Sequence, residues 1–211
     1  MDETVTEIIT VSREFGSGGR ELGKRLADEL GFSYYDREIV TMLAERTGMD
    51  AGYVERQLEK ETVVQYPIHF AQSFTQLSAV SEATMQLKAE QTNLIKELAK
   101  EGRCVIVGRA ADSILEEYDP FRLFVYADQE SKLKRCRSRA AETENLSDRE
   151  MLRQMKRIDR SRAEYHDIIS SRAWGQKESY HLCIDTTGIE IKKVIPAVAN
   201  YYRLWQSARI L

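Results

Sequence analysis

A short apolar run, residues 8–12, leads straight into a glycine-rich turn, and the turn leads straight into a helical pattern over residues 21–30. No other feature of the chain restricts its fold so strongly. Leu22, Leu26 and Leu30 recur at helical spacing, and Gly31 stands just past them as a stop signal. A strand, a tight turn and a helix in that order open a βαβ unit. In open α/β sheets, ligands bind beyond the carboxyl ends of the strands, which is where this turn sits.

The remaining pattern continues the alternation. Residues 32–35 read as a second strand, and Asp36 reads as the N-cap of a helix in which Ile39, Met42 and Leu43 share a face. Cys104–Val107 is a continuous apolar run, as expected of a central parallel strand covered on both faces. Residues 123–127 and 182–185 read as further strands. Residues 131–139 and 148–165 are basic helical stretches, and 189–204 reads as a closing helix that Pro196 should kink or break. From Leu77 to Leu98 the residues Val80, Thr84, Leu87, Gln91 and Leu94 mark one stripe of a long helix ending near Gly102. That stripe packs on the sheet or on neighbouring helices; the length of the helix, 77–98, leaves a homodimer seam as the alternative. The expected architecture is α/β: a doubly wound, about five-stranded parallel sheet flanked by helices, in a single domain over residues 1–211.

Composition narrows the partners. The 211 residues are 42% apolar and 31% charged, which suits a globular protein. A formal net charge of −3 sets up no field that would draw nucleic acid, so an anionic ligand must meet local clusters of arginine. No apolar run reaches the ~18 residues of a membrane span. The first residues are acidic and polar, unlike a secretory leader. Cys104, Cys136 and Cys183 show no metal or redox spacing, and Cys104 and Cys183 are expected to be buried. A reduced, cytoplasmic protein with no nucleic-acid and no membrane partner is expected.

The turn itself reads Ser12-Arg13-Glu14-Phe15-Gly16-Ser17-Gly18-Gly19-Arg20-Glu21. Its glycines let backbone N–H groups approach an anion, and the following helix adds its positive end. Arg13, Arg20 and Lys24 supply cations beside it. The phosphate-loop pattern GxxxxGK followed by Ser or Thr fails here at three places. Aligned on Gly18, the first Gly is Arg13, the Lys is Gly19, and the Ser or Thr is Arg20.

With these residues in view, the chain resembles the cytidylate kinase-like family, a branch of the P-loop nucleoside monophosphate kinases. The resemblance starts with residues 9–24. It continues through 34–39 (YYDREI), 105–112 (VIVGRAAD), 159–165 (DRSRAEY) and residues 174–185. It implies a helical acceptor-binding insertion over residues 36–100 and an arginine-bearing, lid-like segment over 140–175. The implied activity is transfer of the γ-phosphoryl group of ATP, with Mg²⁺, to CMP, dCMP or a related small acceptor. Two other readings stand beside it: a nucleotide-binding regulatory protein without catalysis, and a kinase with a non-nucleotide acceptor.

Under that resemblance Arg13, Gly16, Ser17, Gly18, Gly19, Arg20 and Lys24 hold the donor phosphates, and Arg20 or Lys24 replaces the lysine. Asp36, Arg37 and Arg109 hold the acceptor, unless Arg37 or Arg109 forms an ion pair with Glu38 or Asp112. Arg135, Arg139, Arg157, Arg160 and Arg162 are lid residues, with Arg20, Arg160 and Arg162 assigned to catalysis. Glu14, Asp36 and Asp112 are the carboxylates placed to orient hydrated Mg²⁺, with no choice made among them. His69, His166 and His181 are expected to be non-catalytic, and Trp174 and Tyr180 to pack. Tyr34, Tyr35 and Phe70 are candidate walls for an acceptor base.

Overall fold

The computed structural model describes residues 7–59, 74–139 and 146–209, the side chains of 59 and 74–83 excepted. Five strands form one sheet: β1 (Ile8–Arg13), β2 (Ser33–Tyr35), β3 (Cys104–Val107), β4 (Phe121–Tyr126) and β5 (Leu182–Asp185). They are parallel, in the order β2-β3-β1-β4-β5. The first strand of the chain is therefore the middle strand of the sheet. Ile9 pairs with Val105 on one side and Phe121 on the other.

Successive side chains of a strand point to opposite faces, and the core divides accordingly. Ile8, Cys104 and Ile106 face α2 (Glu38–Thr47), α3 (Ala51–Glu59), α4 (Phe74–Lys100) and the short α5 (Ala111–Ile114). Ile9, Val11, Val105, Val107, Leu123 and Val125 face α1 (Gly19–Leu30) and α8 (Ile191–Ser207). Leu22 and Leu26 of α1 are fully enclosed, each stabilising the fold by about 1.5–3 kcal/mol. Gly31 ends α1 in the left-handed region, at φ 67°.

The long stripe on α4 is used inside the molecule. Leu87, Gln91, Leu94 and Leu98 are buried, and Gln91 donates to the Tyr165 hydroxyl at 2.7 Å. The part of the stripe before Thr84 lies outside the described side chains, as does Phe70. The helix α6 (Gln129–Arg139) precedes α7 (Asp148–Ile169), which opens with a capping box. Ser147 Oγ accepts from the Glu150 amide at 3.3 Å, and the Glu150 carboxylate accepts from the Ser147 amide at 2.8 Å.

Three expectations change. Asp36 does not cap α2; Arg37 holds that position with helical φ, and the Asp36 side chain turns toward β1. Pro196 does not break α8. It falls in the second turn of a 17-residue helix whose Ile191, Ile195, Val198 and Tyr202 stay buried, so packing outweighs one forgone backbone bond. Cys183 is only partly buried, because β5 is an edge strand covered less fully than the centre.

Candidate active site

The glycine loop leaves β1 at Arg13 and enters α1 at Gly19. Gly16 and Gly18 take φ of 77° and 86°, where a side chain would be strained, and Gly18 is the N-cap without a side-chain cap bond. Among the described residues no protein acceptor is found for the amides of Gly16, Gly18, Arg20 and Glu21. These N–H groups crowd the positive end of α1, which is what an anion site of this kind requires. Ser17 is structural here. It is fully buried, its hydroxyl donates to the Glu14 carbonyl at 2.8 Å, and it accepts from the Gly19 amide at 3.3 Å.

Two later helices brace the loop. Lys132 of α6 pairs with Glu14 at 2.8 Å. Arg135 donates to the carbonyls of Gly16 (3.5 Å), Ser17 (3.4 Å), Ile189 (3.1 Å) and Thr186, so it ties the loop to the turn before α8. From α7, Asp159 accepts from the Phe15 amide at 2.6 Å. Arg162 donates to the Arg13 carbonyl (3.1 Å) and to Asp159 (3.2 Å), with its guanidinium over the Phe15 ring. Burial raises the Asp159 carboxyl above its ordinary range, with the Phe15 amide and Arg162 opposing.

Beside the loop, cations gather at the ends of β1 and β3. Arg13 reaches Asp36, which lies just after β2, at 3.8 Å; Arg20 pairs with the other oxygen of the same buried carboxylate. Arg109 and Arg162 stand close enough to act on Arg13 as well. Burial, then Arg162, Arg109 and Arg20, pull the Arg13 guanidinium down to about 9, against the pull of Asp36. Two arginines thus share one carboxylate, and two more stand near the first of them. The backbone beneath is unusual: Gly108, Arg109 and Ala110 take φ of 73°, 61° and 51° in succession. For Arg109 and Ala110 that is stored strain, which collects at functional sites. An adjoining cleft of about 660 Å³ is lined by Arg20, Glu21, Lys24, Tyr34, Asp36, Arg37, Glu38 and Arg139.

The other residues singled out in the sequence fall in several places. Lys24 pairs with Asp28 at 2.9 Å on the rim, and Arg139 pairs with Glu21. Arg157 is exposed, and Arg160 is 77% exposed and paired with Glu164. Of the five arginines expected on a lid, Arg135 and Arg162 reach the loop. Asp112 meets His166 of α7 at 2.8 Å, in the deep core rather than beside Arg109. Trp174 and Tyr180 pack on Phe124, Tyr35 packs against the α2–α4 core, and Tyr34 lines the cleft. Glu14, Asp36 and Asp112 are each already matched by a cation or by His166. No group of three metal-ligating side chains occurs among the described residues. The fit for Mg²⁺ held directly by these carboxylates is therefore poor.

Sequence reading passed over Asp159 and Lys132. A signal for Asp159 existed: it lies four and eight residues beyond the buried Met155 and Met151, on their side of α7. Arg157 and Arg160 lie on the other side.

The profile of the Cytidylate kinase-like family matches residues 8–188. The chain is similar in structure to an uncharacterized protein from Eubacterium ventriosum ATCC 27560. That match has 24% identity, covers 93% of this chain and 98% of that one, and has a TM-score of 0.66. Shikimate kinase from Bacteroides thetaiotaomicron follows at 14% identity, with coverage of 94% and 99% and a TM-score of 0.58. A gluconokinase from Sinorhizobium meliloti 1021 is 11% identical, with coverage of 98% and 97% and a TM-score of 0.53. No curated protein sequence matches significantly. At these identities the solved structures speak for the fold alone.

Proposed function

Because this chain belongs to the cytidylate kinase-like family and has the fold of P-loop kinases, we propose that its cleft transfers the γ-phosphoryl group of ATP to a small anionic acceptor. CMP and dCMP are the first acceptors to consider. The observation that carries the reading is the set of open amides on the glycine loop, with Arg13 and Arg20 sharing Asp36 beside them and Arg109 and Arg162 near Arg13. Phosphoryl transfer asks little covalent chemistry of a protein. It asks for alignment and for positive charge around the moving group.

In this scheme the amides of Gly16, Gly18, Arg20 and Glu21 hold the donor phosphates. Arg37 and Arg109 grip the anionic end of the acceptor with forked hydrogen bonds. An acceptor oxygen forms a bond to the γ-phosphorus as the bond to the β–γ bridging oxygen breaks, and ADP departs with that electron pair. Mg²⁺, when bound, neutralises phosphate charge; it would come with the nucleotide and its waters.

One feature favours a second acceptor class. Asp36 is a buried carboxylate at the edge of the cleft, and Tyr34 is the one aromatic side chain among the cleft residues named above. A phosphate acceptor brings no proton that needs removing at neutral pH and would be repelled by Asp36. A hydroxyl acceptor gives up a proton, and Asp36 is the group to take it. A hydroxylated small anion therefore matches Asp36 better than a nucleobase-bearing one does.

The experiment is a coupled ADP-release assay with ATP and Mg²⁺ against nucleoside monophosphates and against hydroxylated carboxylic acids. Turnover with CMP alone supports the first acceptor class, and turnover with a hydroxy acid supports the second. Tight ATP binding without turnover on either panel would overturn the kinase reading in favour of a regulatory nucleotide-binding protein.

A further inference from the structure

We propose that Arg13 is the catalytic cation of this site, taking over from the strand the part that a lysine at position 19 plays in the usual phosphate loop. The proposal rests on the phosphoryl-transfer reading above and names the residue that makes it workable without that lysine.

The argument is one of space. A Cβ placed on Gly19 would lie 2.5 Å from the Arg13 Cβ and 3.0 Å from its Cγ. Real Cβ atoms do not approach so closely, so the stem of Arg13 occupies the room that any side chain at 19 would need. A Cβ on Gly108 would lie 1.8 Å from Arg13 Nη1 and 2.7 Å from its Cζ. Hence the guanidinium rests directly on the bare backbone of Gly108, at the end of the neighbouring strand β3. Gly19 and Gly108 together form a channel with the shape of the Arg13 side chain. A lysine at 19 and an arginine at 13 are mutually exclusive occupants of it.

The channel delivers the cation to a suitable place. Arg13 ends beside Asp36 and over Gly108, at the carboxyl ends of β1 and β3, the side of an open α/β sheet on which ligands bind. Its side chain is 15% exposed, so it is held in position before any ligand arrives. A cation fixed in advance costs no reorganisation when charge develops. Its backbone carbonyl is held by Arg162, so strand, loop and α7 share this residue. Arg20 is half-exposed and Lys24 is paired with Asp28 at 56% exposure, so neither is enclosed in the same way.

The test is an exchange of the two residues. Arg13→Met should leave the protein folded, since it removes one of four crowded cations and Asp36 keeps Arg20. It should weaken pyrophosphate binding, measured by calorimetry, by about tenfold or more, and lower kcat by about a thousandfold. Gly19→Lys alone should displace Arg13 and lose binding too. The double variant Arg13→Met/Gly19→Lys should recover at least about tenfold of the kcat lost by Arg13→Met, since the vacated channel now admits a cation. Gly108→Ala, which blocks the far end of the channel, should weaken pyrophosphate binding in the wild-type background and have little effect in Arg13→Met. If wild type binds pyrophosphate and Arg13→Met binds it equally well, the assignment to Arg13 is overturned and the phosphate site stands. If wild type binds neither pyrophosphate nor ATP, the phosphate reading falls, and this proposal with it.

Discussion

Two sets of charged groups are buried near each other in this protein, and they are built on opposite plans. At the cleft, one carboxylate, Asp36, is shared by two cations, Arg13 and Arg20. Deeper in, Asp112 meets His166 one to one at 2.8 Å, both at 2% exposure. Asp112 Oδ1 makes no hydrogen bond among the described residues, His166 Nδ1 has Asp167 at 3.7 Å, and Ser113 Oγ lies 3.4 Å from the same Nε2 that Asp112 engages. The balanced pair ties α5 to α7 and so holds Arg162 in place. The Asp36 cluster has two cations to one anion, the arrangement that the proposed anion site calls for. A surplus of buried charge is costly to the fold and is reconciled only by a ligand, whereas a matched pair is an element of the scaffold.

Removing one partner from each set should separate them, and the scaffold should suffer most. His166→Ala or Asp112→Ala leaves a buried polar group without its mate and should cost about 3–5 kcal/mol in urea unfolding. A loss below about 1 kcal/mol would mean that the pair is not the scaffold element described here. Asp36→Asn should cost less, about 1–2 kcal/mol, and should tighten binding of inorganic phosphate in calorimetry because it increases the surplus. Weaker phosphate binding would place Asp36 among the anion's own supports and erase the contrast.

A subtler probe is the pH dependence of stability. Burial pulls the His166 imidazole down, but Asp112, with Asp167 behind it, more than reverses this, so its pKa stands above the ordinary 6.5. Its contribution is complete below 6.5 and fades as pH rises through that raised value. His181 behaves oppositely. Burial and then Arg122 lower it to about 4, so its contribution is present above 6.5 and fades as pH falls toward 4. Wild-type stability should therefore peak near 6.5. His166→Gln should flatten the alkaline side of the curve and leave the acid side intact. If both sides persist in that variant, the alkaline loss belongs to other groups.

Much of the architecture was legible in the sequence because its signals are local. The apolar runs at 104–107 and 182–185 mark β3 and β5 at their observed bounds. The start of β4 was missed because Arg122 puts a cation into a strand whose other face carries Leu123 and Val125. The strand order, with β1 in the middle, follows from packing between distant segments and has no local sign. The same division holds in the cleft. The glycine loop announced itself, but the pairing of Asp112 with His166 spans 54 residues. The basic runs showed abundant charge but not its direction. In α7 direction depends on the helical period, which turns Arg162 inward and leaves Arg157 and Arg160 outside.

The packing of Arg13 against Gly19 also bears on how such chains are recognised. A search pattern demanding glycine followed by lysine reads the cation at one address and passes over any chain that has moved it six residues upstream to the strand. The signature that the proposal predicts for such chains is a pair: arginine at the end of the first strand, and a glycine where lysine would stand. Neither residue is diagnostic alone, because each has meaning only through the volume it leaves to the other.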